Sequence, residues 1–297
     1  MRWWSLAKGV ETVNSSHRVR CRRGSKRGHG RRGAADDCWV WGIHSVREMV
    51  EHSPAGVEAM CVVSGKPRPG VSDLIASALG AGIEVRECEP AQLNALAQGG
   101  THQGVAARMG AFAYTELDAI ARARPELIIA LDCVQDPRNL GAILRTAEAV
   151  AAGGVVLPKD RAAGVTPAVV RGAAGHVYRV PIARVTNLAR AIEMLKGQGW
   201  WALGLLPDGD QELYEVGLPE RILLVIGGEG RGIRPLVARI CDERVSLPMA
   251  QGVNSLNAAV AAGVALYEIR RRHGTKTASL GSKVPGRPEG DSSTGWS

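Results

Sequence analysis

The chain has 297 residues, 45% of them hydrophobic and 22% charged, with a formal net charge of +8. This composition is typical of a globular protein, and the length allows a buried core without disulfides or a structural metal. No apolar run approaches the roughly 18 residues that a membrane-spanning helix needs, which excludes a helical membrane protein.

The positive charge is concentrated at the start of the chain. Residues 1–35 contain ten basic residues and one acidic residue, so the other 262 residues carry a net charge of −1. Bulk charge in the folded part therefore does not indicate nucleic-acid binding. We predict a basic disordered arm over residues 1–37. Its composition leaves three origins open: a nucleic-acid-binding arm, an organellar transit peptide, or upstream sequence read from an early start codon.

The six cysteines are scattered along the chain. They form no C-x-x-C motif and have no clustered histidine partners. This spacing predicts that the protein has no zinc or other metal site. Six unclustered thiols also favour a reducing compartment, and we expect a cytoplasmic protein.

The first folded block alternates short helices and strands. The predicted helices are Ile43–His52, Ser72–Leu79 and Ala91–Ala97, and the predicted strands are Ala59–Ser64, Ile83–Cys88 and Val105–Met109. We predict a small α/β domain over residues 38–112 and a linker over residues 113–125.

From residue 126 onward the alternation is stronger. The predicted strands are Leu127–Val134, Gly154–Leu157, Val177–Pro181, Trp200–Leu206, Ile222–Ile226 and Val245–Leu247. Near-continuous apolar strands joined by helices indicate a parallel sheet covered on both faces, and such open sheets bind ligands at the carboxyl ends of their strands. We predict a second α/β domain over residues 126–273, followed by a disordered tail over 274–297.

The loop after the first of these strands contains D-P-R-N-L-G-A-I-L-R-T-A at Asp136–Ala147. Asn139 is a plausible helix N-cap. Arg145 falls outside the apolar stripe of the helix, among small residues that leave its guanidinium able to bind a phosphate or carboxylate. The alternative is a solvated surface Arg145 that pairs with Glu148 or with a neighbouring residue.

The loop after Ile226 contains four glycines within six residues, at Gly227–Gly232. Glycines let a backbone approach a ligand closely, although a tight turn without a ligand is the alternative. The loop lacks the dinucleotide fingerprint G-x-G-x-x-G, because residue 233 is isoleucine. A carboxylate at Glu229 is expected to meet a donor on a ligand or a neighbouring loop.

The loop after Leu247 leads into a predicted helix at Ala258–Arg271. Asn254 or Ser255 can cap this helix, and the free N–H groups of its first turn can bind a polar ligand atom. Capping alone is the alternative, but with Asn257 the loop has more polar side chains than one cap requires.

Together, the three loops resemble the three motifs of the SpoU (TrmH-like) branch of the SPOUT RNA methyltransferases. The motifs are N-L-G-A-I-L-R-T-A at Asn139–Ala147, I-G-G-E-G-R-G-I at Ile226–Ile233 and L-P-M-A-Q-G-V-N-S-L-N-A-A-V-A at Leu247–Ala261. The segments Gly42–Val46, His102–Val105 and Lys159–Pro167 are similar to the subgroup that 2'-O-methylates a guanosine of large-subunit ribosomal RNA.

The resemblance implies an α/β fold in which the C-terminal parallel-sheet domain forms a deep trefoil knot, an exception to the rule against knots. It also implies that the small N-terminal domain binds RNA as ribosomal proteins do. S-adenosylmethionine is the implied cofactor, and the protein is expected to be a homodimer with its active site near the interface. The implied cofactor contacts are Gly227, Leu247, Met249 and Leu256.

The resemblance implies that Arg145 activates a ribose 2'-hydroxyl. The residues implied to position Arg145 and the ribose are Asn139, Glu229, Ser255 and Asn257. Because arginine keeps its charge up to a pH above ~12, a phosphate-clamping role is favoured over that of a general base. Two alternatives stay open, a methyltransferase of transfer RNA and a non-catalytic protein that binds ribosomal RNA. The intact motif residues favour an enzyme, and the N-terminal domain favours ribosomal RNA.

Overall fold

The computed structural model describes residues 38–230, 232–253 and 255–274. The predicted arm at 1–37 and all of the predicted tail except residue 274 lie outside the described residues. Within the described part of the chain, no helix has the length and apolar character needed to cross a membrane.

The first part of the chain forms a four-stranded sheet in the order β1-β4-β2-β3. Its strands are β1 (Trp39–Trp41), β2 (Val57–Val63), β3 (Val85–Cys88) and β4 (Val105–Met109), and its helices are α1 (Ile43–His52), α2 (Val71–Gly80) and α3 (Pro90–Leu96). Strand β4 is antiparallel to β1 and β2, whereas β2 and β3 are parallel. The three helices and three strands predicted here are confirmed. The strand at Trp39–Trp41 was not predicted, because three residues are too few to show an alternation.

The second part forms a seven-stranded parallel sheet in the order β7-β6-β5-β10-β8-β11-β9. Its strands are β5 (Leu127–Asp132), β6 (Gly154–Pro158), β7 (Ile182–Val185), β8 (Trp201–Leu205), β9 (Gln211–Glu212), β10 (Ile222–Gly227) and β11 (Glu243–Ser246). The expected parallel sheet is confirmed. All six residues of β5 are buried, as expected for a strand covered on both faces.

Six helices cover this sheet. They are α4 (Leu117–Arg122), α5 (Pro137–Ala149), α6 (Pro167–Gly172), α7 (Leu188–Gly197), α8 (Pro235–Ile240) and α9 (Ala258–His273). Helices α5, α6 and α9 contribute to one hydrophobic cluster, and α4, α7 and α8 contribute to a second. The sheet therefore lies between two helical layers, and its carboxyl edge carries the loops that lead into both of them.

The strand predicted at Val177–Pro181 is wrong. Residues His176–Tyr178 form a short 3-10 turn that follows Gly175 at φ +87°, and the strand begins only after Pro181. Gly175 lies in the turn that follows α6 and leads directly into the 3-10 turn, and proline has no N–H to donate to a strand ladder. The apolar residues of the predicted strand thus pack as a turn, and pairing with β6 starts at Ile182.

The domain of the four-stranded sheet and that of the seven-stranded sheet are in direct side-chain contact. Arg179 donates two hydrogen bonds to the Glu48 carboxylate of α1, at 2.5 and 2.7 Å. Arg171 of α6 lies 3.6 Å from the centre of the Trp41 ring on β1. Burial acts to raise the pKa of Glu48, but the hydrogen bond and charge of Arg179, helped by neighbouring histidines, hold it below its usual value. The Glu48–Arg179 ion pair therefore persists at neutral pH and helps to dock the small domain on the larger one.

Candidate active site

The loops after β8, β10 and β11 enclose a cavity of about 500 Å³ at the carboxyl edge of the larger sheet. This volume is within the range of small-molecule sites. All four residues expected to contact a cofactor line the cavity: Gly227, Leu247, Met249 and Leu256. Glu229, Ser255 and Asn257 also line it. The predicted location of a binding site at this edge is therefore matched by a cavity.

The loop Gly227–Gly232, which we call the glycine loop, has no room for a side chain at its first two residues. A Cβ atom on Gly227 would overlap the backbone of Gly232 and Ile233, and one on Gly228 would overlap the backbone of Cys133. Gly228 and Gly232 also pair with each other as an isolated bridge. These glycines therefore serve the packing of the loop itself, and this packing leaves backbone rather than side chains on the cavity wall.

Three polar side chains meet beside the cavity, one from each motif. Asn139 Nδ2 donates to Glu229 Oε1 at 2.7 Å, and Asn257 Nδ2 donates to the same oxygen at 2.5 Å. Asn257 Nδ2 also donates to Asn139 Oδ1 at 3.0 Å. We call Asn139, Glu229 and Asn257 the polar cluster. The expectation that Glu229 meets a donor on a neighbouring loop is confirmed, and each member is held in a defined orientation.

The predicted helix caps are wrong, and the corrections explain the cluster. Asp136 caps α5 by accepting from Arg138 N at 2.8 Å, so Asn139 lies inside the helix with its amide free to reach Glu229. Asn257 rather than Ser255 caps α9, since its Oδ1 accepts from the first-turn N–H groups at 3.0 and 3.2 Å. The other predicted cap, Asn254, lies outside the described residues.

Arg145 lies on α5 about 9 Å along the helix axis from Asn139. It is exposed and does not line the cavity. The exposure agrees with the alternative of a solvated surface arginine, but the pairing with Glu148 is wrong, because Glu148 instead faces His176 Nδ1 at 3.1 Å and Arg179 at 3.9 Å. Within the described part of the chain, Arg145 makes no hydrogen bond or ion pair, so its guanidinium is available to an incoming anion.

No metal centre supplements these groups within the described ranges, where no three His, Cys, Asp or Glu side chains are arranged to hold an ion. The side chains described at the site supply amide, carboxylate, hydroxyl and guanidinium groups. These groups bind and orient polar substrates.

Sequence reasoning missed Asp132, the last residue of β5. Its side chain is fully buried, and its two oxygens accept hydrogen bonds from Arg234 N and Arg234 Nε, both at 2.8 Å. Its backbone oxygen accepts from Gly228 N at 2.8 Å. Asp132 thus anchors both ends of the glycine loop to the central strand. The signal in the sequence was a carboxylate within an otherwise apolar predicted strand, seven residues before the first motif.

Replacing Asp132 with alanine should lower the free energy of unfolding by about 2 kcal/mol, because the part-buried Arg234 N and Nε lose their acceptor and a fully buried side chain is removed. Equilibrium unfolding in urea measures the free energy of unfolding of each variant. The matched control is Asp210→Ala, which breaks an exposed ion pair with Arg244 and should lower the free energy of unfolding far less. Equal losses in the two variants would contradict the anchoring role.

Comparison with known proteins gives consistent matches over the described domains. The family model described as "SpoU rRNA Methylase family" matches residues 126–267, and the model described as "RNA 2'-O ribose methyltransferase substrate binding" matches residues 39–115. The chain is 38% identical over 242 residues to a protein of Pseudomonas putida named 23S rRNA (guanosine-2'-O-)-methyltransferase RlmB, with 80% of this chain and 97% of that protein covered.

Two further matches extend the comparison. A protein of the same name from Xanthomonas campestris is 39% identical over 242 residues, again covering 80% of this chain and 97% of that protein. Among solved structures, the SpoU methyltransferase AviRb from Streptomyces viridochromogenes, in complex with the cofactor AdoMet, matches with a TM-score of 0.68 and 26% identity. That match covers 80% of this chain and 91% of the AviRb chain.

Proposed function

Because the chain belongs to the SpoU family of rRNA methylases, we propose that it transfers the methyl group of S-adenosylmethionine to the ribose 2'-hydroxyl of a guanosine in 23S rRNA. The observation that carries the proposal is the polar cluster, in which one residue from each of three separate loops meets beside a glycine-lined cavity. The relatives from Pseudomonas putida and Xanthomonas campestris, matched over 97% of their length, are named for this reaction.

The cavity walls fit S-adenosylmethionine. The tight packing at Gly227 leaves bare backbone to face polar atoms of the cofactor, and a Cβ there would have no room. Leu247, Met249 and Leu256 supply an apolar surface of the kind that an adenine ring prefers. We assign these four residues to cofactor binding. When bound, the cofactor supplies a methyl group activated by its sulfonium.

The polar cluster is proposed to position the ribose. Asn139 and Asn257 both donate to Glu229 Oε1, which leaves Glu229 Oε2 to accept a hydrogen bond from a ribose hydroxyl. Ser255, exposed on the cavity wall, adds a hydroxyl for the same purpose. Fixing the nucleophile in line with the methyl group removes much of the entropic barrier to the transfer.

Arg145 is proposed to clamp a phosphate of the RNA and so to hold the target nucleotide at the cavity. A ribose hydroxyl is a poor nucleophile at neutral pH, and orienting its oxygen is one route to faster attack. Arg145 is exposed and unpaired within the described residues, so no internal partner competes with the RNA. The planar guanidinium of Arg145 can donate two parallel hydrogen bonds to one phosphate.

A homodimer is proposed through helix α9. Val260, Val264 and Tyr267 recur at helical spacing, and their side chains are 53%, 37% and 58% exposed. An apolar stripe of this kind on a surface helix favours a protein–protein contact. Helix α9 packs against α5, which carries Arg145, so a contact along α9 would place the partner near the proposed active site.

Replacing Val264 with glutamate should convert the dimer into a monomer, because it places a charge in the apolar stripe. Light scattering coupled to size-exclusion chromatography measures the mass. The matched control is Leu236→Glu on α8, where the side chain is 55% exposed outside the stripe, and this variant should stay dimeric. A monomeric wild type, or a Val264→Glu variant that stays dimeric, would contradict the interface.

Further proposals follow from membership of the family. The loops after β10 and β11, which share the cavity and meet through the Glu229–Asn257 hydrogen bond, are proposed to form a deep trefoil knot. The domain boundaries are proposed at 38–112 for RNA binding, 113–125 for the linker and 126–273 for catalysis. A cytoplasmic location follows from the proposed ribosomal substrate.

Methyl transfer from tritiated S-adenosylmethionine to purified RNA tests the proposed function. The wild-type protein should label in vitro transcribed 23S rRNA and leave bulk transfer RNA unlabelled. Nuclease digestion should then locate the label on the 2'-oxygen of a guanosine. Label in transfer RNA alone would show that the substrate is transfer RNA. If neither RNA is labelled, the proposal is refuted.

A further inference from the structure

The segment Lys159–Pro167 contributes no residue to the cavity or to the polar cluster. Its role is therefore unexplained by the proposed active site. It follows β6, which lies beside β5 in the sheet, whereas the cavity is formed by the loops after β10, β8 and β11. The segment therefore lies on the other half of the same carboxyl edge. Its first three residues, Lys159, Asp160 and Arg161, are all exposed.

The loop that carries these charges is fixed in place. Three hydrogen bonds, each of 2.9 Å, run from Arg184 Nη2 to Lys159 O, from Ala163 N to Val134 O, and from Val165 N to the Tyr114 hydroxyl. They tie the loop to β7, to the end of β5 and to the segment that joins the two domains. Lys159 and Arg161 are thus presented on a rigid backbone, which reduces the entropic cost of binding.

Arg161 adopts a backbone conformation that arginine rarely takes. Its φ is +61°, in the left-handed region, which costs a residue with a Cβ about 1 kcal/mol more than glycine. Residues held in such conformations cluster at functional sites. The position therefore carries an arginine where a glycine would suit the backbone better, which points to a use for the side chain.

The loop that carries Arg161 is bound beside the glycine loop. Ala163 N donates a hydrogen bond to Val134 O at 2.9 Å, and the carbonyl of the neighbouring Cys133 packs against Gly228, the residue before Glu229. Burial and the charge of Asp132 raise the pKa of the Cys133 thiol, and the charges of Arg234 and Arg161 act in the opposite direction. Arg161 is therefore carried by a backbone that is fixed next to the proposed active site.

We propose that Lys159 and Arg161 form a binding site for the rRNA backbone phosphates that flank the target ribose. The inference rests on the proposed function and adds to it the surface along which the RNA strand passes. Because the chain outside residues 1–35 carries a net charge of −1, RNA attraction there must come from locally placed cations. Arg138 in the first turn of α5 is 91% exposed but is neutralised by Asp136, so it adds little.

The test is the double variant Lys159→Ala/Arg161→Ala, with in vitro transcribed 23S rRNA as the probe. Filter binding over a range of KCl concentrations should show that the slope of log K against log salt becomes less negative by about 1.5, the value for two lost phosphate contacts. The KM for the RNA should rise roughly tenfold. Calorimetry with S-adenosylmethionine checks that the cavity is intact in the double variant.

Two further variants make the test specific. Asp160→Asn removes the carboxylate between the two cations and should strengthen RNA binding, which a merely misfolded loop would not do. Arg122→Ala removes an exposed cation from the end of α4, before β5 and so at the opposite edge of the sheet, and should leave the salt slope unchanged.

An unchanged salt slope and KM in Lys159→Ala/Arg161→Ala would overturn the inference, as would an equal loss in Arg122→Ala. These outcomes differ from a failure of the proposed function, in which the wild-type protein itself would not methylate 23S rRNA.

Discussion

Replacing Arg145 with alanine should lower the rate of methyl transfer at least about 100-fold, while the affinity for S-adenosylmethionine stays unchanged. Arg145 is exposed on α5 and does not line the cavity, so its loss removes no contact with the cofactor. It is proposed to hold the RNA phosphate, and without that clamp the ribose hydroxyl is no longer oriented. Single-turnover kinetics with 23S rRNA and calorimetry with the cofactor measure the two quantities separately.

The control for this variant is Arg145→Lys. Lysine keeps the positive charge but lacks the planar guanidinium that donates two parallel hydrogen bonds. The rate of the Arg145→Lys variant should therefore fall between those of the wild type and the alanine variant. An Arg145→Ala variant with the wild-type rate would refute the clamp. Loss of cofactor affinity together with activity would instead place Arg145 in the cofactor site.

Replacing Gly227 with valine should weaken cofactor binding by two orders of magnitude or more, a loss of about 3 kcal/mol of binding free energy. A side chain at this position overlaps the backbone of Gly232 and Ile233, so the loop must move away from the cavity that it lines. Calorimetric titration with S-adenosylmethionine measures the loss.

Gly217→Val is the matched control. This glycine lies in the loop before β10, and no atom lies within 4 Å of an added Cβ. The control should bind the cofactor as the wild type does. Unchanged affinity in Gly227→Val would show that the cofactor site is misplaced, whereas an equal loss in both variants would indicate general destabilisation.

The sequence was most informative where one local pattern determined the structure. The run Leu127–Asp132 is almost entirely apolar, and burial on both faces of a parallel sheet is the arrangement that such a run favours. The four expected cofactor residues were placed by their motifs, and all of them line one cavity. Whether they bind the cofactor is what the Gly227→Val experiment addresses.

The sequence was least informative where contacts distant in the chain decide the outcome. Asn139 has the chemistry of a helix cap, but Asp136 starts the helix and Asn139 instead meets Glu229, 90 residues away. The role of Asp132 likewise depends on Arg234, which is 102 residues away. Local propensity cannot reveal such pairs, because they exist only once the strands are in register.

Mapping of ribose 2'-O-methylation in 23S rRNA shows whether this protein methylates a guanosine there in the cell. The RNA is taken from cells that lack the gene and from the same cells complemented with the wild-type protein or with Arg145→Ala. One guanosine of 23S rRNA should be methylated with the wild-type protein and unmethylated in the other two samples. Identical 23S rRNA maps in all three samples would contradict it.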